Sequence, residues 1–361
     1  MSNFGDDLFG LAAQKAGLKY WQDVSVEVIA PKIEGAGEGY TVPLAVPDYV
    51  YQMHNLLGAM VRSIYVVGGS LKADKMIFTG GSLFSSRSSG VMNVLNKVHR
   101  RSFFLSAIGV SVGPFVSISD EKKTIGVIKN FEYISVRDTR SFDFLNSLNL
   151  DLKVVHAGDL AGLMLPVARR GGKVKKIGFS PCFRADKPEA SGRLCREFIQ
   201  AVVEQSQLAE LEVVVLGLNE HPVVGDMALC LNVFKALKKL GISCAFEGYK
   251  KAGVMKTWEL ISSFDAFITG RLHGAVSAYI CKVPFFLDEY HIKCSDFLND
   301  INQAQSLRLP CDDYSTGDVS KVLSVLLEET QFIRPKLSVE AYQEKSALNF
   351  TMAPWAKKND R

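Results

Sequence analysis

The sequence predicts an α/β protein made of two Rossmann-like halves, and three observations predict it. Short apolar runs alternate with longer amphipathic ones along the whole chain, the apolar runs stop at Gly, Pro, Asp or Ser, and the pattern breaks once and restarts. Short apolar segments joined by amphipathic ones are what parallel strands with crossover helices look like, because such strands are buried on both faces. At 361 residues the chain has the length of two domains of roughly 150 residues each.

In the first half the candidate strands are Val24–Ile29, Ser63–Val67, Lys75–Thr79, Phe103–Ile108, Tyr133–Val136 and Lys153–His156. Helices are expected over Ser89–Val98 and Thr139–Leu148. Between Leu165 and Lys176 a Pro, the pair Arg169-Arg170, Gly171-Gly172 and further lysines interrupt the pattern, which marks a linker. Beyond it strands are expected at Lys176–Phe179, Glu212–Leu216, Ser243–Phe246, Ala266–Thr269 and Phe285–Leu287. The helices between them are Ser191–Gln205, Asp226–Leu240, Met255–Ser263 and Leu272–Cys281. The expected domains are therefore 1–165 and 176–330. A tail over 331–361, carrying Tyr342, Phe350 and Trp355, has enough apolar surface to pack back on the first domain.

A net charge of +4, with 47% hydrophobic and 22% charged residues, is ordinary for a globular protein and points to no nucleic-acid partner. Local basic clusters, His99-Arg100-Arg101, Arg169-Arg170, Lys173-Lys175-Lys176 and Lys250-Lys251, read first as solvated faces and second as contacts for an anionic donor or an anionic membrane surface. Seven scattered cysteines without a Cys-x-x-Cys pair argue against a disulfide framework and against a zinc site. No apolar run approaches the roughly 18 residues that span a bilayer, and the start lacks the features of a signal peptide. A cytoplasmic protein, with the inner face of the membrane as one place of action, is the expectation.

Chemistry concentrates in a few segments. Thr269-Gly270-Arg271-Leu272-His273-Gly274 runs from a strand directly into a helix. Helix N-termini offer free N–H groups and partial positive charge to anions, Arg271 adds a fork for phosphate or carboxylate oxygens, and His273 can move a proton near neutral pH. The next strand, Phe285–Leu287, delivers Tyr290, His291 and Lys293 to the same sheet edge, so that Lys293 is a second cation for one anion. Asn3-Phe4-Gly5-Asp6-Asp7 places a Gly and two carboxylates before a helix, either as caps or as a general base with a hydroxyl-binding role. Gly80-Gly81-Ser82 follows a strand where backbone can approach a ligand, and Arg137 ends another strand, ready for a ligand or for pairing with Asp138 or Asp159. Cys182, in the loop after the first strand of the second half, is the one cysteine placed near a site. No Asp-x-Asp or similar metal motif stands out, so metal-independent activity without a cofactor is expected.

Taken in order, these segments resemble the polysaccharide pyruvyl transferase family. The resemblance rests on Asn3-Phe4-Gly5-Asp6-Asp7-Leu8, Thr79-Gly80-Gly81-Ser82, Gly109-Val110-Ser111-Val112-Gly113-Pro114-Phe115, Ser135-Val136-Arg137-Asp138, Gly158-Asp159-Leu160-Ala161, Gly270-Arg271-Leu272-His273-Gly274, and Val283-Pro284 with Tyr290 and Lys293. It spans about residues 3 to 300. It implies a GT-B-like fold, with two Rossmann-like domains facing across a cleft, the first on the acceptor side and the second on the donor side. It also implies transfer of a pyruvyl group from phosphoenolpyruvate to two hydroxyls of one sugar, as a cyclic ketal with release of phosphate. The acceptor would be a glycan or a lipid-linked oligosaccharide. Donor binding would fall to Arg137, Arg271, Leu272, His273, Tyr290 and Lys293, catalysis to His273 with Asp6 or Asp7, and acceptor binding to Asn3, Gly5, Gly80, Gly81 and Ser82. Where several relatives carry Pro-His, this chain has Pro181-Cys182.

Two other readings fit the same segments. One is a nucleotide-sugar glycosyltransferase of the same fold, in which Glu289 would meet a ribose. The other is a non-catalytic sugar- or anion-binding protein.

Overall fold

A computed structural model of the protein describes residues 3–30, 33, 40–41, 50, 53, 56–85, 104–167, 175–207, 210–309, 315–328 and 333–356. The expected helix Ser89–Val98, the cluster His99-Arg100-Arg101, Cys311 and the middle of the linker lie outside these residues. The chain divides into two compact units. The first holds Met1, Leu8–Leu163 and Tyr342–Arg361, and the second holds Ser2–Asp7 and Met164–Ala341. The start of the chain therefore belongs with the second unit, a correction to the expectation that residues 1–165 form one domain. The reason is local, since Phe4 donates its N–H to the Leu218 carbonyl (3.0 Å) and Asn3 bridges Asn219.

In the first unit, strands β3 (Lys75–Thr79), β4 (Phe104–Val110), β5 (Tyr133–Val136) and β6 (Lys153–His156) form one parallel sheet in that order. The two-residue alternation of β5 shows how the sheet is covered. Ile134 and Val136 enter a core with Val127 and Ile128 of helix α3 (Ile118–Ile128) and Leu145 of α4 (Thr139–Ser147). Tyr133 and Ser135 point the other way, where the Tyr133 hydroxyl donates to the Asn349 carbonyl (3.2 Å) and Ser135 to the Asn349 carboxamide (2.6 Å). Asn349 lies on the last helix, α11 (Val339–Thr351), and Trp21, which follows α1 (Phe4–Tyr20), donates to the Phe350 carbonyl (3.1 Å).

Two expected strands in this half need correction. Only Val28–Ile29 of the segment Val24–Ile29 is extended, as β1, paired parallel with β2 (Tyr40–Thr41). Ser63–Val67 is not a strand but the middle of helix α2 (Leu56–Lys72). A short apolar run carries no period of its own; here Val61 and Tyr65, four apart, are buried, and Gly69 lets Ile29 and Met76 close in. The opposite face of α2 carries Leu57, Met60, Ile64, Val67 and Leu71, all exposed.

The second unit is a five-stranded parallel sheet in the order β11-β10-β7-β8-β9, formed by β7 (Lys175–Ser180), β8 (Leu211–Gly217), β9 (Cys244–Gly248), β10 (Ala266–Thr269) and β11 (Phe285–Leu287). On one side α5 (Pro188–Ser206), α6 (Met227–Lys239) and α10 (Asp318–Leu327) enclose a core that includes Phe179 stacked on Phe198 at 3.9 Å. The helices α7 (Tyr249–Ser262), α8 (Leu272–Ile280) and α9 (Ile292–Asp300) complete the unit. The chain leaves β7 toward β8 and β9, then returns to the other side of β7 with β10. The order reverses between β7 and β10, and in open α/β sheets ligands bind outside the carboxyl ends of the strands at such a point. No helix among the described residues is long and apolar enough to cross a membrane.

Candidate active site

All five strands of the second unit send a chemically equipped loop to the carboxyl edge of the sheet. Cys182 and Arg184 follow β7, Asn219 to Asp226 follow β8, Tyr249 follows β9, Arg271 and His273 follow β10, and Tyr290 and Lys293 follow β11. The turn after β10 is shaped by its neighbours. Gly270 must be glycine, because a Cβ there would lie 2.9 Å from the Cys182 backbone nitrogen. The Thr269 hydroxyl accepts the Arg271 N–H (2.9 Å) and starts helix α8. The Leu272 side chain is buried.

Arg271 is clamped by a residue the sequence showed only as a helix start. Asp226, fully buried, accepts from Arg271 Nε (2.8 Å) and from one terminal nitrogen, and also from the Phe183 N–H (2.8 Å). Burial raises the Asp226 pKa, and the charge and hydrogen bonds of the Arg271 guanidinium oppose that rise. The pairing is side-on, so it leaves the end of the guanidinium for an incoming anion.

His273 lies against the start of the chain. A Cβ on Gly5 would sit 2.0 Å from His273 Nδ1, so the imidazole rests on the glycine α-carbon. The segment is held there by three contacts. The Asn3 carboxamide accepts the Gly5 N–H (3.0 Å), the Phe4 ring meets Tyr249 edge-on at 5.6 Å, and the Tyr249 hydroxyl is hydrogen-bonded to the Asp7 carboxylate. The two carboxylates thus differ in surroundings. Asp7 is buried against Tyr249, whereas Asp6 keeps contact with solvent while protein crowded around it raises its pKa, and the charges of His273 and Lys293 work against that rise.

Around Tyr290 the positive groups converge. Arg184 and Lys293 each lie 5.8 Å from its ring, and the charge of Arg271 reaches its hydroxyl. Burial pushes the Tyr290 phenol well above its ordinary pKa, and it pushes the Cys182 thiol, hydrogen-bonded to that phenol, upward too. Cys182 is therefore a packed thiol beside the cations and not an activated nucleophile. The six described cysteines are all free and buried.

The remaining candidates lie in the first unit. Arg137 is 7% exposed, and its Nε and one terminal nitrogen are engaged by Ser111 (2.8 Å) and Asp159 (2.8 Å). Of the two carboxylates expected as partners, Asp138 and Asp159, it is Asp159 that Arg137 meets. Gly80 and Gly81 both have positive φ, 65° and 75°, and a Cβ on Gly80 would strike Phe9 at 2.5 Å. Gly80 is thus a packing glycine, while Gly81 has open space beside it and Ser82 is exposed. Glu289, the ribose candidate, has both carboxylate oxygens on the guanidinium of Arg308.

Sequence reasoning missed Asp226, Asn219 and Tyr249. None stands in a recognisable spacing, and each matters only because a distant segment folds onto it.

None of the curated proteins matches the chain in sequence. Among solved structures, a Staphylococcus aureus MnaA–UDP complex superposes with a TM-score of 0.60 at 10% identity, covering 96% of this chain and 89% of that one. A UDP-N-acetylglucosamine 2-epimerase gives 0.57 at 12% identity over 100% and 96% of the two chains. The Methanocaldococcus jannaschii UDP-GlcNAc 2-epimerase gives 0.55 at 11% over 86% and 84%. At such identities the likeness shows a fold, the two Rossmann-like domains of GT-B-type enzymes. The sequence pattern goes further, since the family described as Polysaccharide pyruvyl transferase matches residues 3–291, from the Asn3 cap through β11 and its polar end, and the chain is a transferase belonging to that family.

Proposed function

We propose that this protein transfers the pyruvyl group of phosphoenolpyruvate to two hydroxyls of one sugar in a polysaccharide or its precursor, as a cyclic ketal, releasing phosphate. The observation that carries the reading is the gathering of Arg271, Lys293, His273 and Asp6 about one helix N-terminus at the point where strand order reverses. Phosphoenolpyruvate bears a phosphate and a carboxylate, which two cations and the N–H groups of α8 match better than they match a neutral sugar.

The chemistry has two halves. In the first, a sugar hydroxyl adds to the central carbon of the donor and the methylene carbon gains a proton, becoming methyl. His273 supplies that proton and Asp6 takes the one from the hydroxyl. In the second, another hydroxyl of the same sugar displaces phosphate and closes the ring, its proton leaving by the same pair. Asp7 has no part in this, being held by Tyr249. Arg137 as a donor ligand, and Gly81 and Ser82 as acceptor contacts, belong to the same reading. The nucleotide-sugar alternative loses its ribose contact with Glu289 committed to Arg308.

The acceptor, on this reading, reaches the protein as a glycan or on a lipid carrier. The exposed apolar stripe on α2, formed by Leu57, Met60, Ile64, Val67 and Leu71, supports peripheral contact with a membrane surface. The deciding experiment incubates the protein with phosphoenolpyruvate and a panel of glycosides and follows phosphate release. Turnover with a pyruvylated product is the expected result, and His273→Ala and His273→Gln should both abolish it. Full turnover in both variants removes His273 from the chemistry, and turnover of a nucleotide sugar in place of phosphoenolpyruvate overturns the reading.

A further inference from the structure

The loop between β8 and α6 closes on itself and reaches three parts of the site. Asn219 is its hub. The Asn219 carbonyl accepts the Asp226 N–H (2.7 Å), its side-chain oxygen accepts the His221 N–H (3.1 Å), and its side-chain nitrogen donates to the Val224 carbonyl (3.2 Å). Gly225 permits this closure, because a Cβ there would lie 2.3 Å from the His221 carbonyl oxygen. One end of the loop, Leu218 and Asn219, holds Phe4 and Asn3, and so sets Gly5 beneath His273. The other end carries Asp226 to Arg271 and to the Phe183 N–H of the β7 loop.

A buried ion pair is weak evidence for stability, because desolvation of both charges offsets their attraction. Orientation is a different matter. An arginine side chain has many rotamers, and a side-on carboxylate that removes this freedom in advance leaves the guanidinium end aimed in one direction. The carboxylate is fully buried, whereas 18% of the Arg271 side chain remains accessible. Asp226 is thus set behind Arg271.

We propose that Asp226 is a positioning residue, acting through Arg271 to aim the free end of its guanidinium at the donor anion, with the Asn219 loop coupling that aim to the seating of His273. This rests on the donor site assigned above. The test uses Asp226→Asn, which keeps the shape and an acceptor for Phe183, and Asp226→Ala, each as the full chain. The readouts are KM and kcat for phosphoenolpyruvate, calorimetric affinity for inorganic phosphate, and thermal midpoint. Asp226→Asn should raise both KM and the phosphate Kd about tenfold while changing kcat less than threefold. In an Arg271→Lys background the same change should add little. Unchanged or tighter phosphate binding with only a lowered midpoint would reduce Asp226 to a structural group, and fully additive losses in the two backgrounds would break its link to Arg271. Wild-type protein that binds no phosphate overturns the proposal. Wild-type protein that binds phosphate in an Asp226-dependent way but does not turn over phosphoenolpyruvate leaves the positioning role standing and removes the donor assignment alone.

Discussion

The His273 imidazole lies on the α-carbon of Gly5, so close that a methyl group at position 5 would stand 2.0 Å from Nδ1. Residues 268 positions apart in sequence thus share one contact, and each explains the other's type.

Gly5→Ala should displace the imidazole, and displacement of a catalytic group by about 1 Å costs on the order of 100-fold in rate. Phosphate release should fall by roughly that factor while circular dichroism stays native. A variant with wild-type kcat would show that His273 need not occupy this place.

The paired carboxylates should separate under mutation. Asp7→Asn weakens a buried hydrogen bond to Tyr249 and should destabilise the protein by roughly 1–3 kcal/mol, seen as a lower thermal midpoint. Asp6→Asn should leave the midpoint nearly unchanged and remove turnover. The reverse pattern would exchange their roles.

His156 gives a pH test independent of function. It stacks on Phe142 at 5.2 Å, and burial, aided by Lys345, holds its pKa down to about 4 against an ordinary 6.5. As pH falls from 6.5 toward 4 the unfolded chain takes up a proton that the folded one refuses, so stability is lost across that window and is fully present above it. Thermal midpoints of His156→Gln should decline less between pH 6.5 and 4.5 than those of the wild type; equal slopes would exclude His156 as the cause.

Turnover should persist in a metal chelator, since the proposed function assigns the anionic donor to Arg271, Lys293 and the α8 N-terminus. Loss of phosphate release in chelator, restored by added magnesium, would contradict that division of labour.

The periodicity of the second half was legible because its strands are short, buried on both faces and bounded by turn residues. Ala266–Thr269 and Phe285–Leu287 lie where the pattern puts them. The first half was less so. Ser63–Val67 has the composition of a strand, and only the sheet and Ile29 packed against α2 make it a helix.

For the site, the sequence alone determined the turn Gly270-Arg271-Leu272-His273, because a strand running straight into a helix is a local event. It also determined that Lys293 would come to the same edge, since adjacent parallel strands end together. Only the tertiary structure decided that the chain start belongs to this unit, that Asp7 is buried against Tyr249 while Asp6 stays exposed, and that Asp226 stands behind Arg271 while Glu289 answers Arg308. Those choices depend on which distant groups become neighbours in a crowded interior, where a charge finds a partner or is expelled, and linear spacing carries no record of that.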